Sequence, residues 1–218
     1  MKCLFFIDGF NLYHRLDESF SHEKYKWLDL RKLSEQFLEK GDEIGKIIYF
    51  TAYCAWNQNK KNRHKKYIQV LSKKGVEICL GKFKKVTKRF DKEHMEILTP
   101  DVNEEDIPDK FDFRSYEEKE TDVNIAVNII KYAVEGGYEH FYVMSADSDF
   151  VPAIQHVKKA YRNIKLTNIL PINAEGTTLR QVFDDQLEMT EEYLNNSLLD
   201  DEIKISSKET IKKPKKYN

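Results

Sequence analysis

Cysteine is scarce. Cys3, Cys54 and Cys79 are odd in number, widely spaced and each within or at the end of an apolar run. That pattern excludes a disulfide framework or zinc cluster and reads as buried thiols in a reducing compartment. Long apolar runs are missing too. No stretch approaches the roughly 20 residues that cross a bilayer, and the first apolar run meets Asp8 too soon for a signal peptide. A cytoplasmic protein with no membrane partner is the expectation. Net charge is almost absent, at −1 over 218 residues, a length that allows one good-sized domain with a real core. The average hides an asymmetry: residues 60–89 carry twelve Lys and Arg against the single acid Glu77, whereas residues 91–120 carry twelve acids against four bases. One stretch attracts a polyanion and the next repels it.

What is present begins with Leu4-Phe5-Phe6-Ile7-Asp8-Gly9-Phe10-Asn11. An apolar run without alternation predicts a strand buried on both faces, as in the middle of a parallel sheet. Helical spacing follows over 11–16 and 28–38, with a polar, aromatic loop at 19–27 between them. Strands are predicted over 44–54 and 76–80, separated by a basic helix over 57–72. Residues 81–116 break this rhythm as an insertion, either a flap near the crevice or a surface loop, with Phe111 and Phe113 as its few apolar anchors. Alternation resumes with a buried helix over 121–134 capped by Thr121, a strand over 141–145, a helix over 151–160, a strand over 163–170 and a closing helical region over 177–194. The expectation is a three-layer α/β sandwich around a mostly parallel five-stranded sheet of order 3-2-1-4-5. One domain covers 1–194, with an acidic insertion at about 84–116 and a basic, disordered tail at 195–218.

In such a sheet the first and fourth strands are neighbours at the point where the chain reverses direction, and their carboxyl ends form the ligand crevice. Asp8 and Asp147 both lie at such ends, about 4.8 Å apart if their strands pair, too close for two carboxylates to ionise without a proton or cation between them. Asp122 and Asp149 are candidates for the same mouth. For Asp8, Asp122 and Asp149 the competing account is helix capping or favourable charge at a helix N-terminus. Oxygen ligands without His or Cys nearby favour Mg²⁺ or Mn²⁺ over zinc, and such ions suit hydrolysis of phosphate esters. His14 and His64 have no partner at motif spacing and read as surface residues.

These residues resemble the NYN domain family, within it the LabA-like group of PIN-like nucleases. The matching segments are Phe6-Ile7-Asp8-Gly9-Phe10-Asn11-Leu12-Tyr13, Gly81-Lys82-Phe83, Lys119 through Val127, and Ser145-Ala146-Asp147-Ser148-Asp149-Phe150, in the family's order. The resemblance implies a PIN-like fold and a metal-dependent ribonuclease site. It assigns Asp8, Asp122, Asp147 and Asp149 to the metal and the catalysis, Asn11 to orienting a metal water or phosphate, and Ser145 to the same mouth. This chain departs from many relatives in having Ala146 for Gly, Asn128 for Asp, and no Cys-rich knuckles before Thr121.

Lys60, Lys61 and Lys82 are candidates for holding a nucleic-acid backbone, against the plainer reading of solvated lysines, and Trp56 for stacking a base. The expected activity is endonucleolytic cleavage of single-stranded or structured RNA, with DNA an open alternative. The competing readings are a silent nucleic-acid-binding or regulatory protein and a small nucleotide phosphoesterase. A second copy of the chain is left open as a partner.

Overall fold

The opening apolar run forms β1 (Lys2–Asp8), buried from Cys3 onward, in a computed structural model that describes residues 1–94 and 107–217. The chain continues through α1 (Gly9–Ser19), α2 (Leu30–Glu35), β2 (Glu43–Thr51), α3 (Gln58–Lys73) and β3 (Glu77–Leu80). A hairpin follows, β4 (Lys82–Asp91) and β5 (Lys110–Lys119), then α4 (Thr121–Glu135), β6 (His140–Met144), α5 (Val151–Ala160) and β7 (Lys165–Leu170). The last elements are α6 (Thr177–Arg180), β8 (Asp185–Glu188), α7 (Glu191–Asn196), β9 (Glu202–Lys204) and β10 (Thr210–Lys212).

The main sheet has order β3-β2-β1-β6-β7-β8, and every pairing in it is parallel. The expected five-strand order is therefore present, with a sixth strand added at one edge. Because side chains alternate across a strand, β1 divides its burial between two cores. Cys3, Phe5 and Ile7 pack with α1, α2, α3 and α7, whereas Leu4 and Phe6 pack with α4, α5 and α6. Helices on both faces explain why β1 lacks polar alternation. All three cysteines are free, and burial pushes the Cys3 thiol up to about 12, leaving it protonated and unreactive at neutral pH. Among the described residues no helix is long and apolar enough to cross a membrane.

Three expectations need correction. The region read as helical over 177–194 is broken by β8, because Gln186 and Leu187 carry a short strand that extends the sheet beside β7. The tail over 195–218, expected to be disordered, is packed as far as it is described. Ile203, Ile211 and Tyr217 are buried in the α1–α3 core, and β9 pairs with β10. Its attachment is the loop before α2: Asp29 N donates to Ser197 O at 2.7 Å, Leu199 N to Trp27 O at 3.1 Å, and Trp27 Nε1 to Asp200 O at 3.1 Å. Six apolar residues scattered over 24 positions among charged ones carry no strand or helix periodicity.

The insertion is the third. Its described ends are the two strands of one antiparallel hairpin, paired from Lys82↔Lys119 to Asp91↔Lys110. Arg89 meets Asp112 with two hydrogen bonds, Lys88 meets Glu117 at 2.7 Å and Lys110 meets Asp91 at 3.0 Å. Part of the charge expected to act separately on a polyanion is thus paired within the hairpin, whereas the bases of α3 lie outside it. Phe111 and Phe113 are exposed, Phe111 stacking on Phe90 within the hairpin and not on the core, and the acidic centre around Pro100 lies outside the described residues.

Burying one large apolar side chain contributes about 1.5–3 kcal/mol. Deleting residues 200–218 is expected to cost roughly 4 kcal/mol or more and to lower the melting temperature by roughly 10 °C. Calorimetry of the truncated and full chains checks this; an unchanged transition contradicts a packed tail.

Candidate active site

The pairing of β1 with β6 aligns Ile7 with Met144, so Asp8 and Ser145 leave the sheet side by side. Both are buried, Asp8 at 3% exposure and Ser145 at 0%. Asp8 has two jobs. One oxygen caps α1 by accepting from Phe10 N at 3.1 Å and Asn11 N at 3.0 Å, and the other accepts from Ser145 Oγ at 2.9 Å. The capping posed by the sequence is present, and the same carboxylate lines the cleft at this mouth. Gly9 permits this, because a Cβ there would sit 2.6 Å from Phe50 O and the Tyr49 ring.

Ser145 Oγ also accepts from Asp147 N at 3.0 Å, and Asp147 Oδ1 accepts from Asp149 N at 2.9 Å. Asn11 reaches across from α1, its Oδ1 accepting from Ala146 N at 3.0 Å. The turn after β6 is thereby tied on three sides. Asn168 on β7, not foreseen from the sequence, donates to Val143 O and Ser145 O, and Gln186 on β8 in turn donates to Asn168. An Asn in an apolar strand was the available signal.

Asp122 comes from the first turn of α4. That helix starts differently from expectation: Thr121 is its first residue and not its cap. Glu120 precedes it in a left-handed conformation (φ 83°), while Glu118 accepts from both the amide and hydroxyl of Thr121. One carboxylate oxygen each from Asp122, Asp147 and Asp149 lies within 4.8 Å of the others. Asp8 lies outside that mutual distance but lines the same open cleft of about 420 Å³ with Asp122, Asp147 and Glu118. Arg15 lines it as well, paired to Glu18 at 3.2 Å.

The electrostatics follow from this crowding. Burial raises the Asp8 pKa, with the Asp147 charge adding to it and the bonds from Asn11 and Ser145 opposing it. Asp122 is pushed up to about 6, first by burial and then by Asp8, Asp147, Glu118 and Asp149. A carboxyl held that high marks negative charge in want of a cation or proton. A second acid-containing group, Cys3, Asp42 and His140, lies at the other end of β1. There Asp42 is bonded by Cys3 and His140, and Thr167 meets the other ring nitrogen of His140.

The remaining candidates divide. Lys60 and Trp56 line an adjoining cavity, while Lys61 and Lys82 line neither; Lys82 is ion-paired to Glu120. His14 is exposed, whereas His64, expected at the surface, is half-buried and held neutral with a pKa of about 4 by desolvation and by Lys60.

A family model for the NYN domain matches residues 2–189. Among curated proteins, 6-hydroxy-3-succinoylpyridine 3-monooxygenase HspA of Pseudomonas putida is 22% identical over 200 residues, 81% of this chain and 61% of that protein. The chain thus spans about three-fifths of the length of this relative. Among solved structures, a protein of unknown function from Vibrio parahaemolyticus superposes with a TM-score of 0.54 at 16% identity, over 91% of this chain and 96% of the other. It shares the α/β fold.

The raised Asp122 pKa makes a signed prediction. Its unfolded value is about 3.9 and its folded value about 6, so its contribution to stability is intact below pH 4 and is lost as pH rises through 6. In EDTA, Asp122→Asn is expected to raise the melting temperature by a few degrees at pH 8 and to leave it unchanged near pH 4. A difference that is the same at both pH values contradicts the crowding described.

Proposed function

The chain belongs to the NYN domain family, and from that premise we propose that it is a metal-dependent endoribonuclease that hydrolyses phosphodiester bonds of single-stranded or structured RNA. The observation that carries this reading is the convergence of Asp122, Asp147 and Asp149 within 4.8 Å, with Asp8 buried behind them. The donors are all oxygen, which fits Mg²⁺ or Mn²⁺, and the high Asp122 pKa fits a site that a cation completes. Such an ion, when bound, supplies an activated water and neutralises charge on the phosphate.

The chain's own groups have separate roles in this reading. Asp122, Asp147 and Asp149 hold the ion. Asp8 braces the mouth through Ser145, and Asn11 fixes the turn that presents Asp147. Lys60, on the wall of the adjoining cavity, is the cation best situated to meet a phosphate of the strand. The reading includes action in the cytoplasm, which three free thiols support. The name of the Pseudomonas relative describes an oxygenation; at 22% identity that chemistry is not carried over here.

End-labelled single-stranded RNA should be cut by the purified protein with Mn²⁺ and left intact with EDTA. Asp147→Asn, shown to be folded, should lose at least about a hundredfold in rate, the scale on which removing a charge-stabilising group at a reacting centre acts. Mn²⁺ at 100 times its dissociation constant should stabilise the wild type by about 2.7 kcal/mol and the variant by much less. RNA that is bound yet never cut would favour the binding-protein reading.

A further inference from the structure

Beside the carboxylate cleft lies a second cavity of about 300 Å³, and Phe10, His14, Phe83 and Tyr116 wall both. Its lining is unusually aromatic. Tyr49 and Tyr67, both buried, line it and meet edge to face at 6.2 Å. Its outer wall is built by the hairpin and the loop after β2. Tyr116 of β5 stacks on Trp56 at 4.5 Å and 25°, and Phe83 of β4 meets Trp56 edge-on at 4.8 Å and Phe10 edge-on at 5.4 Å.

Polar groups and two lysines, Lys26 and Lys60, are set among the rings. Thr51 Oγ1 and His64 Nε2 sit 3.3 Å apart within the lining. Lys60 Nζ lies 4.8 Å from the Tyr13 ring centre. Trp56 is 48% exposed and Tyr116 36%, so the stacked pair keeps surface that a partner can reach.

An aromatic slot with hydrogen-bonding groups and cations in its lining suits a planar heterocycle attached to an anion. The cavity opens beside the cleft proposed to hold a phosphate, and the two share four side chains. Resting on the ribonuclease reading, we propose that this cavity takes one unstacked base of the RNA strand, next to the phosphate at the carboxylates, and so selects the nucleotide at which the strand is cut. The base stacks against the Trp56 and Tyr116 side of the cavity, its edge faces Thr51 and His64, and Lys60 meets the phosphate that follows. The hairpin, an insertion into the sheet, then serves as one wall of a specificity pocket.

The test is a binding measurement on wild type, Trp56→Ala and Tyr116→Ala, both exposed positions, each first shown to be folded by circular dichroism. The probes are fluorescent tetranucleotides with Ca²⁺ in place of Mn²⁺: a wholly abasic chain, and chains with one base. A single base should tighten wild-type binding about tenfold, the scale of one base stacked on one aromatic ring, and should gain little in either variant. A base that adds nothing in wild type overturns the proposal, as does a full gain retained in both variants. Free nucleosides that bind as tightly as the one-base chain overturn it in favour of a small-molecule site. Cleavage with Mn²⁺, measured separately, keeps the two readings apart. Cutting without a base effect leaves the nuclease and removes the pocket, and a base effect without cutting does the reverse.

Discussion

The pairing of β1 with β6 is the contact on which the remaining arrangement rests. It joins the two halves of the sheet, and its register sets Ser145 beside Asp8. A hydroxyl suits that place because it gives its proton to one aspartate and accepts the amide of the next. It thus links two negatively charged residues without adding to their repulsion. A residue with only acceptors there would face Asp8 with nothing to donate. The turn carrying Asp147 is further secured by Asn11 from one neighbour and Asn168 from the other. The acids are presented by a frame whose polar atoms are satisfied before any ligand arrives.

Crowding of carboxylates and burial of backbone pull in opposite directions at this mouth. Asp8 is fully committed to the fold, capping α1 and meeting Ser145, whereas among the described residues none holds the side chain of Asp122 or Asp149 by a bond of this kind. The fold therefore spends its hydrogen bonds on the deepest acid and leaves the outer ones to electrostatics alone. Burial raises both carboxyls, and the bonds from Asn11, Ser145 and Phe10 oppose that rise at Asp8 alone.

The parallel core was legible because its signals are local and strong: unbroken apolar strands, helical spacing between them, and carboxylates at strand ends. The strand order followed from the connection rules without further input. The acids, too, could be brought to one mouth from their positions in the chain. What escaped was non-local. Pairing of basic with acidic residues across the hairpin joins positions up to 33 apart, as in Lys84↔Glu117, and a charge count along the chain cannot register it. Burial of Ile203, Ile211 and Tyr217 depends on a groove formed by Trp27, Tyr67 and their neighbours, which no window around residue 210 contains. His64 illustrates the same gap: a lysine-rich helix looks solvated, yet this turn of α3 faces the aromatic cavity.

The hairpin's two strands are clasped by ion pairs between exposed side chains, while the sheet beneath is held by apolar burial. Those two kinds of cohesion answer differently to ionic strength. Raising salt from 0.1 M to 1 M shortens the screening length from about 10 Å to about 3 Å, which weakens the Lys88–Glu117 and Arg89–Asp112 attractions and leaves packed hydrocarbon untouched. One wall of the aromatic cavity is thus tuned by dissolved ions, and the lining formed by Tyr49 and Tyr67 is not.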